Sequence, residues 1–364
     1  MKKVITLIAL IITPLLEAQN LKTENVFLIT LDGLRWQELF NGADSSLLND
    51  PTYVDEKAIG DFNKMFWSDD PLERRKKLLP FFWQQLSDQG QVYGNRDYGN
   101  QVNVTNRYWF SYPGYSEILC GFADDRRIKS NDKLANPNIT VLEFINLQKE
   151  FKGKVAAFGS WDVFPYIINE ERSGVYVNAG FEPARGSELT QKEKTLNQLQ
   201  SQVPSPWGTV RFDAFTHHFA LEYIKKNHPR VVYIAYGETD DYAHDGDYDA
   251  YLTSTLRTDQ FLQELWEYAQ SETLYQGKTT FIITTDHGRG TLPKKTWKHH
   301  GIKIEGSDQI WIAVFGPDTE NLGEVKKQGQ RYQNQIAKTV AAFLGLEYQT
   351  VKPVGELLKE VIHY

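Results

Sequence analysis

The chain has 364 residues, with apolar side chains at 41%, charged side chains at 24% and a net charge of -7. That length gives one large domain or two ordinary ones with a full core, and the composition excludes a disordered chain. The acidic balance argues against a nucleic-acid platform, which needs a basic stripe, but not against an anionic substrate, because bound metal ions reverse the field locally.

The chain opens as an export signal does. Lys2 and Lys3 supply positive charge, residues 4–16 form an apolar run, and Ala18 offers a small residue before a cut ahead of Gln19. The run is too short to span a bilayer comfortably, and no Cys near the cut could carry a lipid. Residues 1–18 are therefore expected to be a signal peptide, and the mature protein to be periplasmic or extracellular without a membrane anchor. The single cysteine, Cys120, cannot form an internal disulfide, so the core and any metal must stabilise the fold.

Apolar runs rich in β-branched and aromatic residues follow at 26–31, 154–158, 231–235, 279–285 and 310–315. Each has the continuous character of a central parallel strand covered on both faces. Helical patterns lie between them at 141–149, 212–227, 250–270 and 332–344. The alternation predicts an α/β three-layer sandwich with a mostly parallel sheet, residues 19–364 forming one catalytic domain. Residues 44–77 and 181–210 are polar and break the alternation. They are expected to be insertions, the first beside the cleft. Residues 352–364 are expected to close the fold as a strand or helix.

In an open α/β sheet the ligand crevice lies beyond the carboxyl ends of the strands. Asp32-Gly33 follows the run at 26–31, and Asp240 and His244 follow the run at 231–235. Asp286-His287-Gly288 follows the run at 279–285, and His299-His300-Gly301 comes soon after. Alone, each motif has a plain structural reading: Asp-Gly is usually a turn, and Asp and His four apart often pair on a helix surface. Together they bring carboxylate and imidazole to one sheet edge, the ligand set that suits zinc and related ions. Four of the eight histidines fall in these segments. Between them lies Ser111-Tyr112-Pro113. Pro113 fits the first turn of a helix, which places Ser111 at or just before the N-cap, where amide dipoles favour an alkoxide or a phosphate. A serine there can equally be a simple cap.

These motifs, in this order, resemble the alkaline phosphatase superfamily, most closely its nucleotide pyrophosphatase/phosphodiesterase branch. Asp32, Ser111-Tyr112-Pro113 with Gly121, Asp240 with His244, Asp286-His287-Gly288 and His300-Gly301 match its spacing from about residue 22 to the C-terminus. The resemblance implies a phosphoric ester hydrolase with two divalent ions, most simply zinc. One ion would be held by Asp240, His244 and His300, the other by Asp32, Ser111, Asp286 and His287. It implies Ser111 as nucleophile through a phosphoseryl intermediate, and Asn131 as a ligand for a phosphate oxygen. His299 is the alternative to His300. The substrate would be a small phosphorylated molecule. The context of an exported hydrolase leans to phosphomonoesters, with phosphodiesters as the alternative.

The chain departs from the family where Gly114 and Tyr115 replace a frequent Asn and His, and no Arg stands beside Ser111. Lys192 and Lys194 read as a solvated charge run. A sulfatase on the same fold is disfavoured, because Tyr115 stands where the modification motif needs Arg. Export disfavours a cofactor-independent phosphosugar mutase, and the intact ligand set disfavours a non-catalytic metal-binding module.

Overall fold

The structure, a computed structural model, describes residues 21–363; the expected signal peptide lies outside the described residues. The strands are β1 (Asn25–Leu31), β2 (Gly90–Tyr93), β3 (Asn100–Asn103), β4 (Val155–Gly159), β5 (Tyr176–Ala179), β6 (Val231–Tyr236), β7 (Thr279–Thr284), β8 (Gln309–Ile310), β9 (Ile312–Phe315), β10 (Gly323–Glu324) and β11 (Gly329–Tyr332). The main sheet has the order β10-β2-β9-β7-β1-β6-β4-β5, and β11-β3-β8 form a small second sheet. β1 lies between β6 and β7 and is parallel to both, with Thr30 level with Ala235 and Thr284. Every residue of these three strands is buried, as their unbroken apolar and β-branched runs require.

Successive side chains of β1 serve opposite faces. Phe27, Ile29 and Leu31 enter one core, with the helices Asp213–Asn227 and Tyr248–Ser271. Val26 and Leu28 enter the other, with the helices Ser111–Cys120, Val141–Leu147 and Ile336–Phe343. The result is the expected three-layer α/β sandwich.

Three expectations about elements change. The run at 310–315 is not one parallel strand: it splits at Trp311 into β8 and β9, and β9 pairs antiparallel with both β7 and β2. The helix expected at 332–344 begins only at Ile336, because Gly329–Tyr332 pairs with β3. Residues 352–363 hold neither strand nor α-helix, only a single 3-10 turn at Lys359–Val361.

The two polar segments are helical and frame the carboxyl edge of the sheet. The first carries Ser45–Leu48, Ile59–Phe66 and Pro71–Leu78. Its Tyr53 packs edge-on to Trp297 at 5.5 Å, and its carbonyl accepts from Tyr248 N at 2.8 Å. The second holds the helix Gln191–Gln202, opened by a capping box of Thr190 and Glu193. Its Trp207 packs on Tyr242 at 4.8 Å and donates to Asp245 Oδ2 at 3.0 Å. Among the described residues, no helix is long and apolar enough to cross a membrane.

Candidate active site

Three adjacent strands deliver the acidic and imidazole side chains. β1 ends in Asp32, and β6 runs into the helix Glu238–Asp245, which carries Asp240 and His244 one turn apart. β7 leads to Asp286 and His287, and the turn Lys294–Lys298 leads to His300. His287 Nε2 lies 3.3 Å from Asp32 Oδ1, 3.4 Å from Asp286 Oδ2 and 3.8 Å from Asp240 Oδ1. His244 Nε2 lies 3.3 Å from Asp240 Oδ2 and 2.9 Å from His300 Nε2. The sequence-derived sets therefore meet in one cluster, with His287 between them. His299 is exposed, its ring 6.5 Å from that of His244, whereas His300 stacks on His287 at 3.9 Å.

Each carboxylate is held at one oxygen and presents the other. Tyr115 Oη donates to Asp32 Oδ2 at 2.8 Å, and Gly33 N donates to Asp286 Oδ1 at 3.1 Å. Asp32 Oδ1 and Asp286 Oδ2 are buried with no hydrogen-bond partner. Arg289 holds Asp240 Oδ1, while Oδ2 faces His244. The imidazoles follow the same rule: His287 Nδ1 pairs with Gly288 O at 2.9 Å and His300 Nδ1 with Trp109 O at 3.3 Å, so each Nε2 turns to the cluster. A carbonyl on Nδ1 fixes the tautomer whose Nε2 lone pair can bind a metal.

Without a cation the charges of this cluster are crowded. Burial, followed by the repulsion of Asp240, pushes the Asp32 carboxyl up; burial and Asp32 push Asp286 well above the usual carboxylate range. Burial opposes charge on His287 too, yet Asp286 and Asp32 overcome it and raise the imidazole to about 9. Burial, then His287, holds His300 well below its ordinary value. Orphaned buried carboxylate oxygens beside fixed imidazole nitrogens fit divalent cations, which would relieve the crowded charge. The ligand atoms of Asp32, Asp286 and His287 lie within 4.8 Å of one another, as do those of Asp240, His287 and His300.

Ser111 opens the helix Ser111–Cys120 and is its first residue, Phe110 being the N-cap. Its Oγ is 3.5 Å from His287 Nε2. The chain enters through Trp109 at φ 54°, a left-handed conformation that costs energy in a non-glycine residue. That loop is pinned by Glu117, whose buried carboxylate accepts from Thr105 N at 2.8 Å, Asn106 N at 2.7 Å and Asn106 Nδ2 at 2.8 Å. Gly114 lets the helix lie against Asp286, since a Cβ there would sit 2.3 Å from the Asp286 carbonyl oxygen. Asn131 Oδ1 accepts from Tyr112 N at 3.0 Å, which brings Asn131 to the start of the Ser111 helix. Ser116 points elsewhere: its buried Oγ accepts from Asn136 Nδ2 at 3.1 Å. Lys192 faces Glu222 at 3.9 Å, away from this cluster.

Sequence reasoning missed Tyr115, Glu117 and Arg289. Two of them carried a usable signal: Tyr115 is one helical turn beyond Ser111, and Arg289 directly follows Gly288.

An α/β sandwich that gathers aspartates and histidines at three strand ends, beside a serine that opens a helix, has the fold of solved structures of the alkaline phosphatase superfamily. Residues 193–348 match the family model of the Metalloenzyme superfamily, whose members bind divalent metal ions. Among solved structures, the alkaline phosphatase PafA is 12% identical with a TM-score of 0.61, over 94% of this chain and 99% of that one. A putative sulfatase from Bacteroides thetaiotaomicron is 10% identical with a TM-score of 0.57, over 92% and 74% of the two chains. The lipoteichoic acid synthase LtaP from Listeria monocytogenes is 14% identical with a TM-score of 0.55, over 89% and 72%. None of the curated proteins matches the sequence. The superfamily resemblance read from the sequence thus holds, at identities where the likeness speaks for the fold.

Proposed function

We propose that this chain is an exported, two-metal phosphoric ester hydrolase with Ser111 as nucleophile, acting on small phosphomonoesters. The observation that carries the reading is the convergence of the unpartnered Asp32 Oδ1 and Asp286 Oδ2 with His287 Nε2, which lies 3.5 Å from Ser111 Oγ. Asp32, Asp286, His287 and Ser111 would hold one ion, and Asp240, His244 and His300 the other, with zinc the simplest choice for this donor set. When bound, two such ions supply an activated nucleophile and neutralise charge on the phosphoryl group.

The chain's own residues do the rest. Ser111 gives up its hydroxyl proton to solvent and attacks phosphorus through Oγ, and the P–O bond to the leaving group breaks with its electron pair on the departing oxygen, which solvent protonates. Water then adds to phosphorus, the bond from phosphorus to Ser111 Oγ breaks, and Oγ takes back a proton as phosphate leaves. The dipole of the Ser111 helix favours the developing negative charge, although Tyr112 N is already held by Asn131 Oδ1 and Pro113 has no N–H. Asn131, anchored through Oδ1, keeps its Nδ2 hydrogens as donors for a phosphoryl oxygen.

One observation favours a phosphodiesterase as the second reading. Among the described residues, no Lys or Arg hydrogen-bonds to Ser111, and Arg289 is committed to Asp240. A monoester dianion gains more from extra cations than a diester monoanion does. Zinc-loaded protein assayed on p-nitrophenyl phosphate, bis-p-nitrophenyl phosphate and p-nitrophenyl sulfate separates the readings. The phosphate monoester is expected to be the best substrate. A diester preference in kcat/KM of more than about tenfold, roughly 1.4 kcal/mol in the transition state, reverses the lean. Sulfate ester as the best substrate, or full activity after exhaustive chelation, overturns the proposal.

A further inference from the structure

Ser111 and Tyr115 stand one turn apart on the helix Ser111–Cys120, so both side chains rise from the same face. The Tyr115 ring is buried and packs edge-on against Phe164 at 4.8 Å. Its hydroxyl donates to Asp32 Oδ2 at 2.8 Å. The other oxygen, Asp32 Oδ1, has no hydrogen-bond partner and lies 3.3 Å from His287 Nε2. A carboxylate at a strand end can rotate about its Cβ–Cγ bond, and a rigid donor on one oxygen stops that rotation.

We propose that Tyr115 is the positioning residue that aims Asp32 Oδ1 at the ion shared with Asp286, His287 and Ser111. It ties that ligand to the nucleophile through a single helical turn. The proposal rests on the metal-dependent reading above. It gives the Tyr that replaces the family's frequent His a definite task, the orientation of a first-strand carboxylate.

The test is zinc affinity, measured on full-length protein stripped with a chelator and titrated with zinc against a competing dye. Working in a His244→Ala background removes a ligand of the other ion only, so one zinc remains. Tyr115→Phe in that background is expected to weaken this zinc about 10- to 100-fold, the usual cost of losing an outer-shell partner. Tyr115→His, which returns an N–H donor to the helix face, is expected to recover part of the loss. Circular dichroism and melting in chelator should match between Tyr and Phe, because the edge-on packing is kept. An unchanged zinc affinity in Tyr115→Phe overturns the proposal. So does an equal loss of stability with and without zinc, which makes Tyr115 a packing residue. If the unsubstituted protein binds no zinc, the metal-dependent reading fails, and this inference with it.

Discussion

Gly114→Ala is the most informative small change available in this chain. It adds one methyl group on the nucleophile helix, at a point where Cβ would lie 2.3 Å from the Asp286 carbonyl oxygen and 3.0 Å from its carbon. Ordinary contact needs ~1 Å more, and backbone on both sides cannot turn aside as a side chain does. Two terms oppose each other. Alanine in place of glycine favours a helix interior by ~1 kcal/mol, and forced overpacking costs about 1–3 kcal/mol. The steric term wins, for a modest net loss of stability.

The larger effect falls on catalysis, because the helix can relieve the clash only by carrying Ser111 away from Asp286 and His287. A displacement of ~1 Å costs on the order of 100-fold in rate. The assay is kcat/KM on the preferred p-nitrophenyl ester, with melting temperature and zinc per chain measured alongside. Gly60→Ala is the matched control, since the added methyl meets nothing within 4 Å on an exposed helix. The reasoning is refuted if Gly114→Ala keeps the parental kcat/KM and melting temperature.

Ser111→Ala is expected to keep the fold and at least one zinc but to lose several powers of ten in kcat, because it removes the covalent step. Acid quenching during turnover followed by peptide mass spectrometry should find phosphate on Ser111, and phosphate on Ser116 instead would defeat the assignment. His300→Ala is expected to lose most activity and one zinc, while His299→Ala, at an exposed position, keeps both; the opposite result exchanges their roles. Away from the site, burial pushes the Asp124 carboxyl up, but Lys352 at 2.7 Å, Arg127 at 2.6 Å and Asn138 at 3.0 Å outweigh it and hold it at about 2. Its folded value is below the ordinary 3.8, so its contribution is complete above that value and is lost as pH falls through about 2. Asp124→Asn should therefore lower stability at neutral pH, by ~1 kcal/mol because solvent screens the half-exposed Lys352 and Arg127, and urea unfolding should show the gap narrowing below pH about 4.

The parts of this fold that could be read ahead were those written locally. β1, β6 and β7 are unbroken buried runs, and the Asp and His residues after them follow from where α/β sheets place their ligands. Strand direction is not local: the apolar run at 310–315 looks the same whether it lies parallel or antiparallel to β7. β5, of four residues at the sheet edge, carries too few side chains for a pattern. Gly329–Tyr332 becomes a strand only because β3, far earlier in the chain, offers it hydrogen bonds. The same limit applied at the site. Ser111 and the ligand candidates stand in recognisable motifs, whereas Tyr115 meets Asp32 across 83 positions and Arg289 meets Asp240 across 49. Glu117 was readable only as a helix residue, since its value lies in amides of the preceding loop.

The scatter of the cluster along the chain, from Asp32 to His300, bears on how the protein is born. Small zinc modules condense around their ion because neighbouring residues can grip it before anything else is in place. Here no short fragment holds a full set, and the two long-range pairings of β1, with β6 and with β7, must form first. Closing such distant contacts is the slow part of folding. An ion held by this cluster would therefore not nucleate the chain; it would enter as a guest in a finished house, and its removal should leave the sheet standing.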